Sequence, residues 1–470
     1  MPPISHGKGM AIPLKLVTKL TNHTMITSPG ESIKTIPNKQ LFHSSAWIIL
    51  GSFSSSLFRF IGNLILTRLL FPEAFGLMAL MSAFMQGLEM FSDVGIGPSI
   101  IQNKRGDDDS FLRTAWTIQV LRGSILWIFS CLLAWPISII YGQEMILQLL
   151  PIIGFNAVLN GFNSTALFTL NRHLQLKKIV IIELVSQLGG LLLAILWAWL
   201  QPTVWALVFS GLFSTFIKFA LSFSLFPSIR HYFHWESKSA SEIFHFGKWI
   251  FFSTIFTFIA GQGDRLILGK MISLTELGVY SIAAALASFL ILIVQNLSGR
   301  IQFPLFSRLA NESMQSLRQQ LFKSRSWIIG IALFPLIIFV SLGDKIIALL
   351  YDQRYHEAAW IFQLLSFGSI GSLFEITLTP IFLAVGNSYR QMLLMLCKAL
   401  LLIACLFIGG WIHGLYGAVA GIALSNFLFY GVVCYNVKYY DIHPLKLDLG
   451  FFSVAFALII ALWTLTHHFP

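Results

Sequence analysis

"FGLMALMSAFMQGLEMFSDVGIGPSII", residues 75–101, is apolar and long enough to cross a bilayer, yet it carries Glu89 and Asp93 four residues apart. A hydrocarbon core of about 30 Å takes about 20 apolar helical residues. At 1.5 Å of rise per residue, Glu89 lies about 20 Å into the span and Asp93 about 6 Å beyond it, so both are deep. A charge at that depth costs at least about 2.5 kcal/mol on insertion scales, and it therefore faces protein, a partner or water. Ser82, Gln86, Glu89 and Asp93 are spaced 4, 3 and 4 and share one helical face, whereas Leu80, Phe84, Leu88 and Phe91 occupy the others. Gly95, Gly97 and Pro98 then loosen or end the helix, and freed backbone at depth is tolerated only against protein or a water-filled cavity.

The same grammar extends over the chain. Of 470 residues, 56% are hydrophobic and 11% charged, and the mean hydropathy of +0.76 departs from the balance of soluble domains. Thirteen spans are predicted: 44–68, 75–101, 111–139, 144–170, 179–200, 203–229, 246–269, 276–304, 326–350, 358–385, 390–410, 414–437 and 449–467. The expected class is an all-α polytopic membrane protein. Residues 1–40 are polar and lack the apolar core and cleavage site of a signal peptide. Cys131, Cys397, Cys405 and Cys434 all fall within spans, which offers neither a disulfide framework nor a metal spacing.

Basic residues gather at alternate breaks: Lys104 and Arg105; Arg172, Lys177 and Lys178; Arg230, Lys238 and Lys248; Arg300, Arg308, Arg318, Lys323 and Arg325. The opposite breaks hold Arg68, Lys270, Lys345 and Arg354. Positive charge is retained in the cytoplasm, which places the N-terminus there. The net charge of +11 thus reads as topology and lipid contact, with no nucleic-acid partner.

Residues 43–76 overlay residues 245–278 at a constant offset of 202. His43 meets His245, Trp47 meets Trp249, "LIL" at 64–66 meets "LIL" at 266–268, and Gly76 meets Gly278. Six spans separate the copies, so both halves enter the membrane in the same direction and are related by an axis along its normal. The predicted organisation is a polar tail (1–40), a six-helix bundle (41–230), a cytoplasmic linker (231–245), a second six-helix bundle (246–440) and one or two further helices (441–470), with a central cavity between the bundles. No polar break is long enough for a soluble domain, and there is no G-x-x-x-x-G-K-[ST] phosphate loop. Asp107–Asp109 form a D-x-D pattern that reads as a solvated turn. No cofactor or metal is expected.

Other deep polar residues define candidate sites. Arg59 and Arg122 lie near mid-span, and Asn156, Asn160 and Asn163 form a stripe on the fourth span. Lys218, Glu375 and Lys398 follow, while Glu183, Asp264 and Arg265 sit near span ends. Gln295 aligns with Asp93 and Ile291 with Glu89, so the carboxylate pair belongs to the first half only. Asp93 either pairs with an arginine to fix packing or serves transport, and the Asn stripe either bonds neighbouring helices or lines a path.

Several stretches together resemble a known family: "LTRLLFPEAFGLMALMSAFMQGLEMFSDVGIGPSIIQ" (66–102), "GFNSTALFTLNRHLQLKKIVIIELVSQLGG" (161–190), "GDRLILGK" (263–270) and "SGRIQFPLFSRLANE" (298–312). They are similar to the bacterial polysaccharide transporter family of O-antigen and exopolysaccharide flippases, whose superfamily includes multidrug and lipid II transporters. Arg68, Pro72, Phe75, Gly76, Asp93, Gly95, Gly97, Gln102, Asp264 and Arg308 match its characteristic stretches. The resemblance implies two helical lobes around a cavity and movement of a lipid-linked oligosaccharide, carried on undecaprenyl diphosphate, across the bacterial inner membrane. On that reading Arg59, Arg122, Lys218 and Lys398 meet diphosphate or acidic sugars, because guanidinium suits phosphate oxygens. Asn156, Asn160, Asn163 and Gln295 meet hydroxyls, and Glu89, Asp93 and Glu375 pair charges or take a coupling H⁺ or Na⁺. Polymerase and export proteins are the expected further partners. A small-molecule exporter of the same superfamily is the alternative; a membrane glycosyltransferase or polymerase is the enzyme alternative, for which no sizeable non-membrane segment exists.

Overall fold

A computed structural model describes residues 38–173, 175–224 and 231–468. The polar tail, apart from its last three residues, and with it the side of the N-terminus, lies outside the described residues, as does Arg230. The first lobe comprises α1 (Asn38–Leu69), α2 (Pro72–Phe91), α3 (Ile96–Gln102), α4 (Asp109–Tyr141), α5 (Ile146–Phe162), α6 (Ala166–Arg172), α7 (Leu176–Leu200) and α8 (Trp205–Ser224). The second comprises α9 (Ser237–Met271), α10 (Leu274–Leu297), a π-helical turn (Ser298–Gln302), α11 (Phe303–Glu312), α12 (Met314–Leu350), α13 (Ala358–Ile376), α14 (Pro380–Ala384) and α15 (Ser388–Val437). A last helix, α16 (Leu445–His468), packs on α12. The chain is the all-helical, two-lobed membrane protein that the sequence predicts. Among the described residues nine helices are long and apolar enough to cross a membrane, or ten if the bent pair α5 and α6 counts as one.

Local sequence fixes the ends. Pro72 opens α2 at its first turn with Glu73 beside it, where a missing N–H and a negative charge both suit a helix N-terminus. Asp108 caps α4 by accepting from the Ser110 amide, and Gly142, at φ 65°, closes it. Ser273 and Glu276 form a capping box on α10. α15 reverses at His413 and Gly414, the latter at φ 56° and ψ −137°. Its two limbs fold together closely: a Cβ on Gly409 would lie 2.0 Å from the Gly417 carbonyl oxygen, and one on Gly421 would lie 2.1 Å from that of Cys405. The single helical stretch therefore supplies two crossings, at the expected 390–410 and 414–437.

Packing repeats between the lobes. α4 lies on α5, α7 on α8 and α1 on α7, just as α12 lies on α13, the limbs of α15 on each other and α9 on α15. The relation is local as well. A Cβ on Gly76 would sit 2.0 Å from the Leu274 carbonyl oxygen, and one on Gly278 would sit 1.9 Å from that of Pro72. Thr275 Oγ1 donates to Glu73 at 2.7 Å, again 202 positions on. The overlaid glycines thus mark the pseudo-two-fold contact at which α2 meets α10.

The largest apolar core spans both lobes at the face opposite the basic loops, joining Leu77 and Leu80 to Leu277, Tyr280, Ile347, Phe362 and Leu406. Towards the basic face the apolar packing divides: Ile100, Phe111 and Leu112 cluster with Ala240 and Ile243 in one place, and Phe306, Leu317, Phe382 and Phe429 in another. The lobes therefore share their largest core at one end, and at the basic end α9 of the second lobe packs on α3 and α4 of the first. Polar contacts reinforce the join. Arg354 donates Nη2 to the carbonyls of Thr67 and Arg68 at 3.0 Å each, and Tyr141 donates to that of Leu266 at 3.0 Å.

Two helices start earlier than their apolar segments. α9 begins at Ser237 and α12 at Met314, ahead of the expected 246 and 326. Hydropathy marks residence in lipid, whereas a capped polar turn is helical without it; Ser313 caps α12 through the Gln315 amide.

Candidate functional site

The first lobe contains two interrupted helices, α2/α3 and α5/α6; in the second, α10 runs into α11 through the π-helical turn without a gap, and α13 meets α14 at a turn over 377–379. Interrupted helices at matching positions of repeats expose backbone ends where ligands and ions are held. A cavity lies at the breaks of each lobe.

In the N-lobe a cavity of 590 Å³ is lined by Glu89, Asp93, Gln119, Arg122, Asn160, Asn163, Glu183 and Lys218, among others. α2 ends at Phe91, leaving carbonyls exposed at depth. Arg122 reaches them from α4, with Nη2 donating to the Glu89 carbonyl at 2.6 Å and Nε to Ser92 Oγ at 2.9 Å. Asp93 Oδ1 accepts from the Gly95 amide at 2.9 Å, and Gly95, at φ 70°, makes the turn into α3. One turn before Arg122, Gln119 does the same for the second break. Its Nε2 donates to the carbonyls of Asn160, Gly161 and Asn163 at 3.1, 2.9 and 3.1 Å. Gly123 lets α4 come this close, since a Cβ there would lie 2.3 Å from the Ala157 carbonyl oxygen. α4 is thus the spine on which both broken helices are hung. His231 Nε2 accepts from the Thr165 amide at 3.2 Å and so closes the α5/α6 break from the linker side.

The C-lobe cavity, of 480 Å³, includes Gln295, Glu375, Thr379, Gln391 and Lys398. Glu375 is 3% exposed. It accepts from Lys398 Nζ at 3.0 Å and from Thr379 Oγ1 at 2.8 Å. Behind it Arg325, wholly buried, holds the α13/α14 break by donating to Thr377 Oγ1 at 3.1 Å and the Phe374 carbonyl at 3.3 Å. Its charge meets Asp448 of α16 at 2.9 Å, and Tyr430 donates to the same carboxylate oxygen at 2.5 Å. A third cavity, of 630 Å³, lies between the lobes and includes Arg59, Asn63, Gln187 and Arg265.

The predicted residues are therefore distributed. Glu89, Asp93, Arg122, Asn160, Asn163 and Lys218 share the N-lobe cavity. Gln295, Glu375 and Lys398 share the C-lobe cavity, and Arg59 faces the interlobe cavity. Asn156 instead bridges α5 to α8, accepting from Thr215 Oγ1 at 2.7 Å. Asp107–Asp109 are each tied to a different cation: Asp107 to Arg172 at 3.0 Å, Asp108 to Arg105 at 2.7 Å and Asp109 to Arg113 at 2.8 Å. Sequence reasoning did not select Gln119, whose signal was its i, i+3 spacing from Arg122 on an apolar span. Arg325, read with the basic loop charges, is the buried half of an ion pair instead, because α12 starts twelve residues before the apolar run.

A strap at residues 231–236 ties the lobes on the basic face. The His234 and Glu236 amides donate to Thr117 Oγ1 and Thr114 Oγ1 at 3.0 and 3.1 Å. Glu236 pairs with Arg105 at 2.8 Å. A hydrogen bond from Ser239, then one from Arg105, holds the Glu236 carboxyl at about 2, well below its ordinary 4.5.

Residues 65–360 match the family model described as "Polysaccharide biosynthesis protein". The chain belongs to that polysaccharide biosynthesis protein family. Relatives within reach of the family include the succinoglycan biosynthesis transport protein ExoT of Rhizobium meliloti, 22% identical over 69% of this chain and 65% of that protein. The lipopolysaccharide biosynthesis protein WzxC of Escherichia coli is 21% identical over 77% and 74%. The teichuronic acid biosynthesis protein TuaB of Bacillus subtilis is 22% identical over 58% of this chain, which spans little more than half, 56%, of TuaB. Among solved structures, the lipid II flippase MurJ in an inward closed conformation superposes with a TM-score of 0.70 over 90% of this chain and 92% of that one, at 14% identity. An inward-facing MATE multidrug transporter of the MOP superfamily gives 0.68 over 86% and 95%, at 14% identity. At that identity the likeness establishes the fold: the polysaccharide family member shares the two-lobed architecture of these transporters.

Proposed function

We propose that this protein moves a lipid-linked saccharide across the bacterial inner membrane, from the cytoplasmic to the outer leaflet, by alternating access of its two lobes. A hydroxyl transferred to hydrocarbon without a partner costs about 4–8 kcal/mol on alkane scales, so a glycan crosses only through a polar interior. The observation that carries the proposal is the N-lobe cavity, in which charged and amide side chains meet two helix breaks within an apolar bundle. Family membership and the polysaccharide-related names of the relatives support the cargo class. The gathering of basic residues at one face supports a cytoplasmic side for that face and for the N-terminus.

In this reading Arg59 and Arg265 in the interlobe cavity receive the diphosphate and the lobe cavities receive sugars. Glu89 and Asp93, or Glu375 with Lys398, exchange a coupling H⁺ or Na⁺ as the lobes rock. The chain acts as a transporter, without catalysis of its own, alongside polymerase and export proteins. Deleting the gene should cause a lipid-linked saccharide to accumulate on the cytoplasmic leaflet. Arg59→Ala and Arg122→Ala should each abolish surface polysaccharide at normal protein level. Unchanged polysaccharide with altered drug efflux would transfer the protein to the exporter class.

A further inference from the structure

The face of α4 that carries Leu121, Ile125, Ile128, Leu132, Trp135 and Ile139 turns outward: all are exposed, at the spacing of one helical stripe. From Leu121 to Ile139 the stripe runs about 27 Å at 1.5 Å per residue, close to the length of a hydrocarbon core. It is therefore a lipid-facing surface. Continued towards the basic face, the same stripe reads Thr117, Thr114 and Ser110, and there it is polar and covered, both threonines being buried. What covers it is the strap. The His234 and Glu236 amides donate to Thr117 Oγ1 and Thr114 Oγ1, His234 Nε2 lies 3.1 Å from Ser110 Oγ, and Ser110 Oγ donates to Glu236 Oε2 at 3.1 Å.

Irregular backbone beside lipid needs its amides met, and the threonines meet two of them. The same pairing turns His234 and Glu236 inward and leaves Trp235 between them on the outside. Tyr232, Phe233 and Trp235 are 48%, 62% and 52% exposed. Two of these rings are held in place: Trp116 backs Phe233 with ring centroids 5.3 Å apart, and Arg113 stands 4.4 Å over the Tyr232 ring and donates to its hydroxyl. Depth follows from α4. Thr117 lies about 6 Å beyond Leu121, inside a headgroup layer about 5–8 Å thick, whereas Ser110, which meets Glu236, lies about 10 Å further out. The aromatic rings thus stand at headgroup level and the carboxylate in water, the depths that amphipathic rings and a charge respectively favour.

We propose that the strap is an interfacial anchor, in which Tyr232, Phe233 and Trp235 sit among the phospholipid headgroups of the leaflet on the basic face. The occupant of this surface is lipid, because the strap continues the lipid-facing stripe of α4 without a break. The segment that joins the two lobes is then held to the flank of the first lobe from both sides, by the threonines of α4 beneath it and by lipid above it. This holds whatever cargo the lobes move.

The test places nitroxide labels on the full chain in phosphatidylethanolamine–phosphatidylglycerol vesicles, with the native cysteines changed to serine. Labels at Phe233→Cys and Trp235→Cys are compared with Ile128→Cys, in the middle of the stripe, and Lys104→Cys, in the basic loop. Collision with oxygen and with a water-soluble nickel chelate should put both strap labels at a depth between the two references. Strap labels as open to the chelate as Lys104→Cys overturn the anchor and leave the rings to a soluble protein; labels shielded from both reagents overturn it in favour of a contact within the chain. A second measurement keeps the native cysteines. A phospholipid with a diazirine near its headgroup, photolysed in the same vesicles, should form adducts on residues 231–236 as well as on 121–139. The combined change Tyr232→Ser, Phe233→Ser and Trp235→Ser should remove the first set and leave the second. Adducts on 121–139 with none on the strap of the unaltered chain overturn the proposal.

Discussion

The α5/α6 break in the N-lobe is capped by the neutral amide of Gln119 at the edge of a cavity, whereas the α13/α14 break in the C-lobe is capped by the fully buried guanidinium of Arg325. Both side chains solve one problem, the orphaned carbonyls of a helix that stops inside a bundle. Their consequences differ because a buried charge needs a counter-charge and an amide does not. The C-lobe obtains its counter-charge from Asp448 on α16, a helix with no equivalent in the N-lobe. α16 therefore completes a cap that the repeat alone leaves unbalanced. In the N-lobe the amide leaves its own oxygen buried and without a hydrogen-bond partner, while in the C-lobe Glu375 is already occupied by Lys398 and Thr379.

The largest expected effect comes from breaking the charged cap. Arg325→Met leaves Asp448 buried without its cation and should cost about 3–5 kcal/mol, read as a fall in the thermal unfolding midpoint of the purified chain. The double change Arg325→Met with Asp448→Leu should recover most of that loss. Gln119→Leu removes a neutral cap and should cost about 1–3 kcal/mol. If Arg325→Met proves no more damaging than Gln119→Leu, the two caps are energetically alike and α16 is not needed to balance one.

How much of this was visible beforehand depends on whether a feature is local. The α2/α3 break was legible because Asp93, Gly95, Gly97 and Pro98 each disfavour a continuing helix, and the polar stripe through Glu89 showed which way it faced. The α5/α6 break was not: "NGFNST" (160–165) carries no proline, and the ends are held by Gln119 from another helix. The offset of 202 was legible because Gly76 and Gly278 need closeness to each other, a requirement that both copies share. Arg325 was misjudged because a basic residue next to Lys323 looks like loop charge until the position of Asp448, 123 residues later, is known. Arg59 and Lys398 read as companions of Arg122 because depth alone was available, and depth does not say which side of a lobe a helix face meets.

The join between lobes offers a test of equivalence rather than of difference. Gly76→Ala and Gly278→Ala each push a Cβ to within 2.0 and 1.9 Å of a carbonyl oxygen across the pseudo-two-fold contact. Overpacking of this kind costs about 1–3 kcal/mol. Because it acts only where the lobes meet, it should open the face opposite the basic loops. Cysteines placed at Glu73 or Thr275 should then react faster with a membrane-impermeant thiol reagent, by similar factors in the two variants. A clear inequality would show that the contact is not symmetric in energy although it is in geometry.

The smallest effect concerns how each lobe is fastened to the segment that leaves it. Arg105 holds the strap after the N-lobe through Glu236, and Arg318 holds the segment after the C-lobe through Asp441 at 2.8 Å. Glu236 is held at about 2 against an ordinary 4.5, chiefly by Ser239 and then Arg105. A carboxyl depressed on folding adds stability that is complete above about 4.5 and fades as pH falls towards 2. The His234 and Glu236 amides should therefore keep constant protection in hydrogen exchange, corrected for intrinsic rate, from pH 7 to about 4.5, and lose it below. Glu236→Gln should be less protected at pH 7 and flat through that window. Asp441 is 68% exposed, so solvent screens its pair with Arg318, and Asp441→Asn should alter exchange over residues 438–446 less than Glu236→Gln alters the strap. Equal changes at both would mean that the N-lobe strap rests on Thr114 and Thr117 rather than on charge.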